Sequence, residues 1–158
     1  MGQLFKQTID GLTLWNTGAA QYFFNYKHGP SRLLVAVQCR LGNLPERELA
    51  LLDTGAEWSV IGGEIAELLE DQLGSAVGSL EMTTRHGLLK GDLYTLNISL
   101  LAKPDWGCDL EVEGRVFISH EWPGPVVLGY CGFLEQLRFG LDPGVAPGNQ
   151  IIYFGPID

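Results

Sequence analysis

Leu51-Leu52-Asp53-Thr54-Gly55-Ala56, with Ser59-Val60-Ile61 just beyond, is the stretch on which the fold turns. It carries an aspartate to the end of an apolar strand and bends the backbone immediately after it. A carboxylate in such a place is costly unless it is hydrogen-bonded, paired or used. Three chemistries fit the tripeptide. In an Asx-turn the carboxylate would only satisfy nearby backbone N–H groups. A phosphoryl-accepting aspartate would need further acids for magnesium, and only Glu57 lies close. The third is peptide hydrolysis by a pair of carboxyl groups. The motif occurs once, because Asp10-Gly11, Asp105-Trp106 and Asp142-Pro143 all lack the following Thr-Gly.

Outward from this loop the pattern is β-rich. Leu33, Val35, Val37 and Cys39 alternate with Leu34, Ala36 and Gln38, and both sets are largely apolar, as in a strand buried on two sides. Gly42-Asn43-Leu44-Pro45 makes a turn, and Glu48 to Leu52 returns as the strand that ends on Asp53. Glu64 to Leu73 reads as a helix with Ile65, Leu68, Leu69 and Leu73 on one face and Gly74 as its stop. Thr83 to Gly91 reads as a hairpin with Gly87 near its tip, followed by a strand whose face is Tyr94, Leu96, Ile98 and Leu100. After the loop Lys103 to Gly107 comes a strand through Val112, Val116 and Ile118. Glu121-Trp122-Pro123-Gly124-Pro125 is a rigid connection to a short buried strand, Val126 to Gly129. Gly132 to Leu137 forms a helical turn or two, and Ile151 to Phe154 a final strand. Residues 1–30 alternate turn signals with short apolar pieces, so irregular structure or short strands are expected there.

The chain has 158 residues, 46% hydrophobic and 18% charged, which fits one domain large enough for its own core. With 21 glycines, 8 prolines and few helical patterns it belongs to the all-β class. A net charge of −9 with scattered Lys and Arg argues against nucleic acid as a partner. No apolar run is long enough to cross a bilayer, and none resembles a signal peptide, so no membrane is expected. Lys6 stands where a myristoylation motif needs Ser or Thr. Cys39, Cys108 and Cys131 match no zinc spacing, and His28, His86 and His120 are isolated, so no metal or cofactor is expected. Three reduced, mostly buried cysteines point to a cytoplasmic setting.

Asp53-Thr54-Gly55-Ala56 with Ser59-Val60-Ile61 resembles the active-site loop of retropepsins, the single-lobe, viral-type aspartic proteases, and of their cellular and bacterial relatives. Val126-Val127-Leu128-Gly129, Gly132-Phe133-Leu134 and Arg138-Phe139-Gly140-Leu141-Asp142 resemble the second element of that family, and a flap-like hairpin lies between the two. The resemblance runs from about Leu33 to Leu141. It implies a closed β-barrel lobe with one or two short helices, over residues 31–158 of a single domain with residues 1–30 as an N-terminal extension. The chain departs from the family where Tyr130 and Cys131 follow Leu128-Gly129, since many relatives carry Arg and then Asp or Asn there, the Arg making ionic contacts at the dimer edge.

By the same resemblance Asp53 is the catalytic carboxylate, Thr54 bonds across to a partner loop, and Gly55 lets substrate backbone approach. Glu57 stands where relatives often bind substrate backbone with an acid. Val126 and Val127 would line side-chain pockets, and Arg85, His86, Gly87 and Leu88 would cover the substrate, although His86 also fits a solvated hairpin histidine. Ala56 stands where pepsin-like enzymes carry Ser. It offers the carboxylate one hydrogen bond fewer, and activity at mildly acidic to near-neutral pH is implied. One motif supplies half a dyad, so a homodimer with Asp53 from each subunit is expected to act as an aspartic endopeptidase on a peptide or protein substrate. The terminal segments, including Ile151 to Phe154, are candidates for an interchain sheet. The alternative is a retropepsin-like domain that dimerises or binds peptides without turnover.

Overall fold

A computed structural model describes residues 15–24, 34–146 and 148–157, together with the backbone of 8–9 and 12–13. The turn signals at Asp10-Gly11 and His28-Gly29-Pro30, and the strand start at Arg32-Leu33, lie outside the described residues. The strands are β1 (Thr8–Ile9), β2 (Leu12–Thr13), β3 (Gly18–Gln21), β4 (Phe23–Phe24), β5 (Val35–Leu41), β6 (Glu48–Leu52), β7 (Ser59–Ile61), β8 (Gly78–Thr84), β9 (Gly87–Leu100), β10 (Leu110–Ile118), β11 (Val127–Leu128), β12 (Leu137–Asp142) and β13 (Ile151–Pro156). Helices α1 (Gly63–Leu68) and α2 (Glu70–Leu73) and a 3-10 turn, Leu134–Gln136, complete the order.

The main sheet runs β4-β5-β6-β11-β7-β10-β9-β8. A further pairing of Cys39, Arg40 and Leu41 on β5 with Leu100, Ser99 and Ile98 on β9 joins it back on itself. The six strands from β5 round to β9 thus form a closed barrel, with β4 and β8 as extra strands on its margin. Closure removes the free edges that an open sheet would expose. The fold is all-β, a closed barrel with a few short helices, as expected from the sequence.

Successive side chains of a strand point to opposite faces, and here both faces are used. Ala50, Ile61, Val116, Ile118, Val126 and Leu128 belong to the main core, with Leu96, Ile98 and Leu100. The intervening residues Leu51, Val60, Phe117 and Val127 belong to a second apolar cluster with Met82, Leu89 and Leu93. One layer of strands therefore separates the barrel core from a smaller cluster beneath the β8–β9 hairpin. The face Tyr94, Leu96, Ile98, Leu100 expected from the sequence is the one turned to the main core.

Two expectations are corrected. The single helix over Glu64 to Leu73 is two short pieces meeting at Leu69. The Leu69 N–H is shared between the carbonyls of Ile65 and Ala66, and Gln72 N–H reaches back only three residues to Leu69. That tightened turn puts Leu69 fully in the core and leaves Leu68 63% exposed, off the buried face assigned to it. The final strand also has no edge to offer a second chain. β13 is the middle strand of a three-stranded sheet, paired with β12 on one side and with β3 on the other. Ala20, Tyr22, Ile152 and Phe154 carry that sheet into the main core, so residues 18–24 are built into the fold.

Candidate active site

Asp53 is placed by three strands, two flanking it in sequence and one from far along the chain. β6 leads into the loop and β7 leads out, yet the two do not pair with each other. β11 runs between them, parallel to β6 through Val127–Leu51 and Leu128–Leu52, and antiparallel to β7 through Val127–Val60. Leu51 N–H donates to Val126 O at 2.8 Å and Asp53 N–H to Leu128 O at 3.0 Å, so the bonding continues to the aspartate itself. Beyond it, Tyr130 N–H donates to Ala56 O at 2.9 Å and Cys131 N–H to Glu57 O at 2.7 Å. The loop is thus bound along its length by the segment seventy-odd residues later.

Two small residues make this contact possible. Ser59, fully buried, accepts the Gly129 N–H on its Oγ at 3.0 Å. A Cβ on Gly129 would collide with the backbone of Trp58 and Ser59, so only glycine lets the two segments lie this close. The residue after Leu128 is therefore glycine for a packing reason.

At the loop's tip Asp53, Thr54 and Gly55 are all exposed, as is Glu57. Gly55 N–H donates to Asp53 Oδ1 at 2.9 Å. This is the Asx-turn open to the tripeptide, and it orients the carboxylate without enclosing it. An ionised carboxylate accepts about four hydrogen bonds, so one bond leaves most of its capacity free. Ala56 is half-buried and packs against the cluster beneath the hairpin.

Among solved structures, the EIAV protease complexed with the inhibitor HBY-793 is similar to this chain. The two are 16% identical, the match covers 64% of this chain and 86% of that one, and the TM-score is 0.47. No protein-family model matches the chain, and no curated protein matches it.

The remaining residues singled out from the sequence fall into two groups. Val127 sits in the cluster under the hairpin with Val60 and Ala56, on the Asp53 side of the sheet. Val126, one residue earlier, points the other way into the main core. Arg85 and His86 form the two-residue tip of the hairpin, between the Thr84–Gly87 pair. Gly87 has a φ of 103°, a conformation that favours glycine. Thr84 Oγ1 accepts the His86 N–H at 3.1 Å and donates to Gly87 O at 3.0 Å, bracing the turn from inside. Leu88 is exposed, while Met82 and Leu89 point inward onto the cluster. His86 is neither fully solvated nor free: its ring meets Trp122 edge-on, with centroids 5.5 Å apart.

Ser59, Gly129 and Trp122 are the residues whose part at this site sequence reasoning missed. Ser59 and Gly129 were visible within the motifs, as small residues in apolar surroundings. Trp122 carried no signal beyond being a tryptophan in a Pro-Gly connection. No group of three or more His, Cys, Asp or Glu among the described residues could hold a metal.

Proposed function

We propose that this chain is an aspartic endopeptidase that acts as a homodimer, with Asp53 of each subunit supplying one carboxyl of the dyad. The observation that carries this is the exposed Asp53 carboxylate at the tip of a loop bound along its length by β11, beside a hairpin that packs on the same face. Two such loops facing each other across a two-fold axis bring identical carboxyls together.

In the dimer one carboxylate takes a proton from water while the other, protonated, donates a hydrogen bond to the scissile carbonyl. The water oxygen bonds to the carbonyl carbon, and the amide C–N bond then breaks as the nitrogen is protonated. The cluster around Val127, Val60 and Ala56 suits an apolar substrate side chain, and the Arg85 to Leu88 tip covers it. Cys39, Cys108 and Cys131 form no disulfide among the described residues, which supports a reducing, cytoplasmic setting. No described helix is long and apolar enough to cross a membrane.

The test is Asp53→Asn beside wild type on a peptide mixture, read by mass spectrometry. Cleavage should be lost in the variant with the fold intact. Equal cleavage in both removes the aspartic-protease assignment, and no cleavage by either leaves the peptide-binding alternative.

A further inference from the structure

We propose that His86 and Trp122 form a latch that holds the β8–β9 hairpin down on the Asp53 side of the sheet. Its consequence for catalysis rests on the peptidase proposal, but the latch itself does not. At the tip, Arg85, His86, Gly87 and Leu88 are all exposed, and inward packing begins only with Met82 and Leu89. The contact between the His86 ring and the indole spans 36 positions and ties the tip to the body of the molecule. Edge-to-face packing of this kind favours contact beyond the area it buries.

Both partners are held in place. Arg85 Nε–H donates to His86 Nε2 at 3.3 Å, and the His86 N–H is taken by Thr84 Oγ1. On the other side, the indole N–H of Trp122 donates to Pro125 O at 2.8 Å. The chain also folds under the ring at Gly124, where a Cβ would come within 2.5 Å of the indole Cζ2. An indole fixed by its own loop is a preorganised docking point rather than a chance neighbour. Trp122 also stands just before Val126–Leu128, the segment whose carbonyls bind Leu51 and Asp53 N–H. The latch therefore registers the hairpin against the segment that braces the catalytic loop, which makes His86 and Trp122 positioning residues.

Amide hydrogen exchange across residues 84–89 tests this in the protein without substrate. His86→Ala and Trp122→Leu should each speed exchange at the tip by roughly 2- to 10-fold, with Leu96 and Ile98 unchanged. The double variant should exchange no faster than the faster single one, as two halves of one contact require. Wild-type exchange in His86→Ala, or factors that multiply in the double variant, overturns the latch. Should Trp122→Leu unfold the chain, His86→Tyr decides, because it keeps an aromatic edge on the indole and must retain the protection that His86→Ala loses. With a cleavable peptide, KM should rise in Trp122→Leu by a greater factor than kcat falls; equal changes in both count against a positioning role. A protein that cleaves nothing leaves the exchange result standing, so the failure of one proposal is separable from the failure of the other.

Discussion

Ser59 stands in an apolar run, and its hydroxyl serves the loop rather than the core. Its Oγ takes the Gly129 N–H where no water reaches, so Ser59→Ala leaves a buried donor without a partner. The expected cost is about 1–3 kcal/mol, read by urea denaturation, with a larger proportional loss of the proposed peptidase activity because the Asp53 loop is what loosens. Cys39 gives a second prediction at this scale. Burial, and then the negative charge of Glu48 across the strand pair, push its thiol from 9.0 up to about 12. The folded state then keeps a proton that the unfolded chain loses, so this contribution is complete below pH 9.0 and is lost as pH rises towards about 12. Wild type should therefore lose stability faster than Cys39→Ala over that interval in denaturation series. An unchanged difference between the two would contradict it.

At the scale of elements, the helix after the motif shows what periodicity can and cannot supply. Ile65, Leu68, Leu69 and Leu73 share one stripe on an ideal helix, but the tightened turn at Leu69 divides the stripe. Leu69→Ala should cost about 2–5 kcal/mol and Leu68→Ala under about 0.5 kcal/mol in thermal or chemical denaturation. Comparable losses would mean that the helix is continuous in solution. Alternation is a better guide for the strands because both faces of β7, of β11 and of the ends of β6 and β10 at Leu51–Leu52 and Val116–Ile118 are apolar for separate reasons. One face fills the barrel and the other lies beneath the hairpin. The same alternation separates Val126 from Val127: neighbours cannot both face the cluster beneath the hairpin, and only the pairing with β6 and β7 determines which one does.

For the whole molecule, the proposed dyad makes function depend on association, because the sequence carries a single Asp-Thr-Gly. Sedimentation should show a monomer–dimer equilibrium, and specific activity should fall on dilution through the same concentration range. Full activity in a strictly monomeric sample would sink the dimer proposal.

The sequence by itself determined the β-class, the strand leading to Asp53, the hairpin and the short apolar strand ending in Gly129. These are local signals: alternation, turn residues and a motif whose parts lie within ten positions. The tertiary structure alone decided that β11 threads between β6 and β7, that β13 is enclosed by β12 and β3, and that His86 reaches Trp122. Each joins segments far apart in the chain, where periodicity says that a residue must be buried but not against what. The partner of a buried face is set by register and closure, and those exist only once the whole sheet has formed.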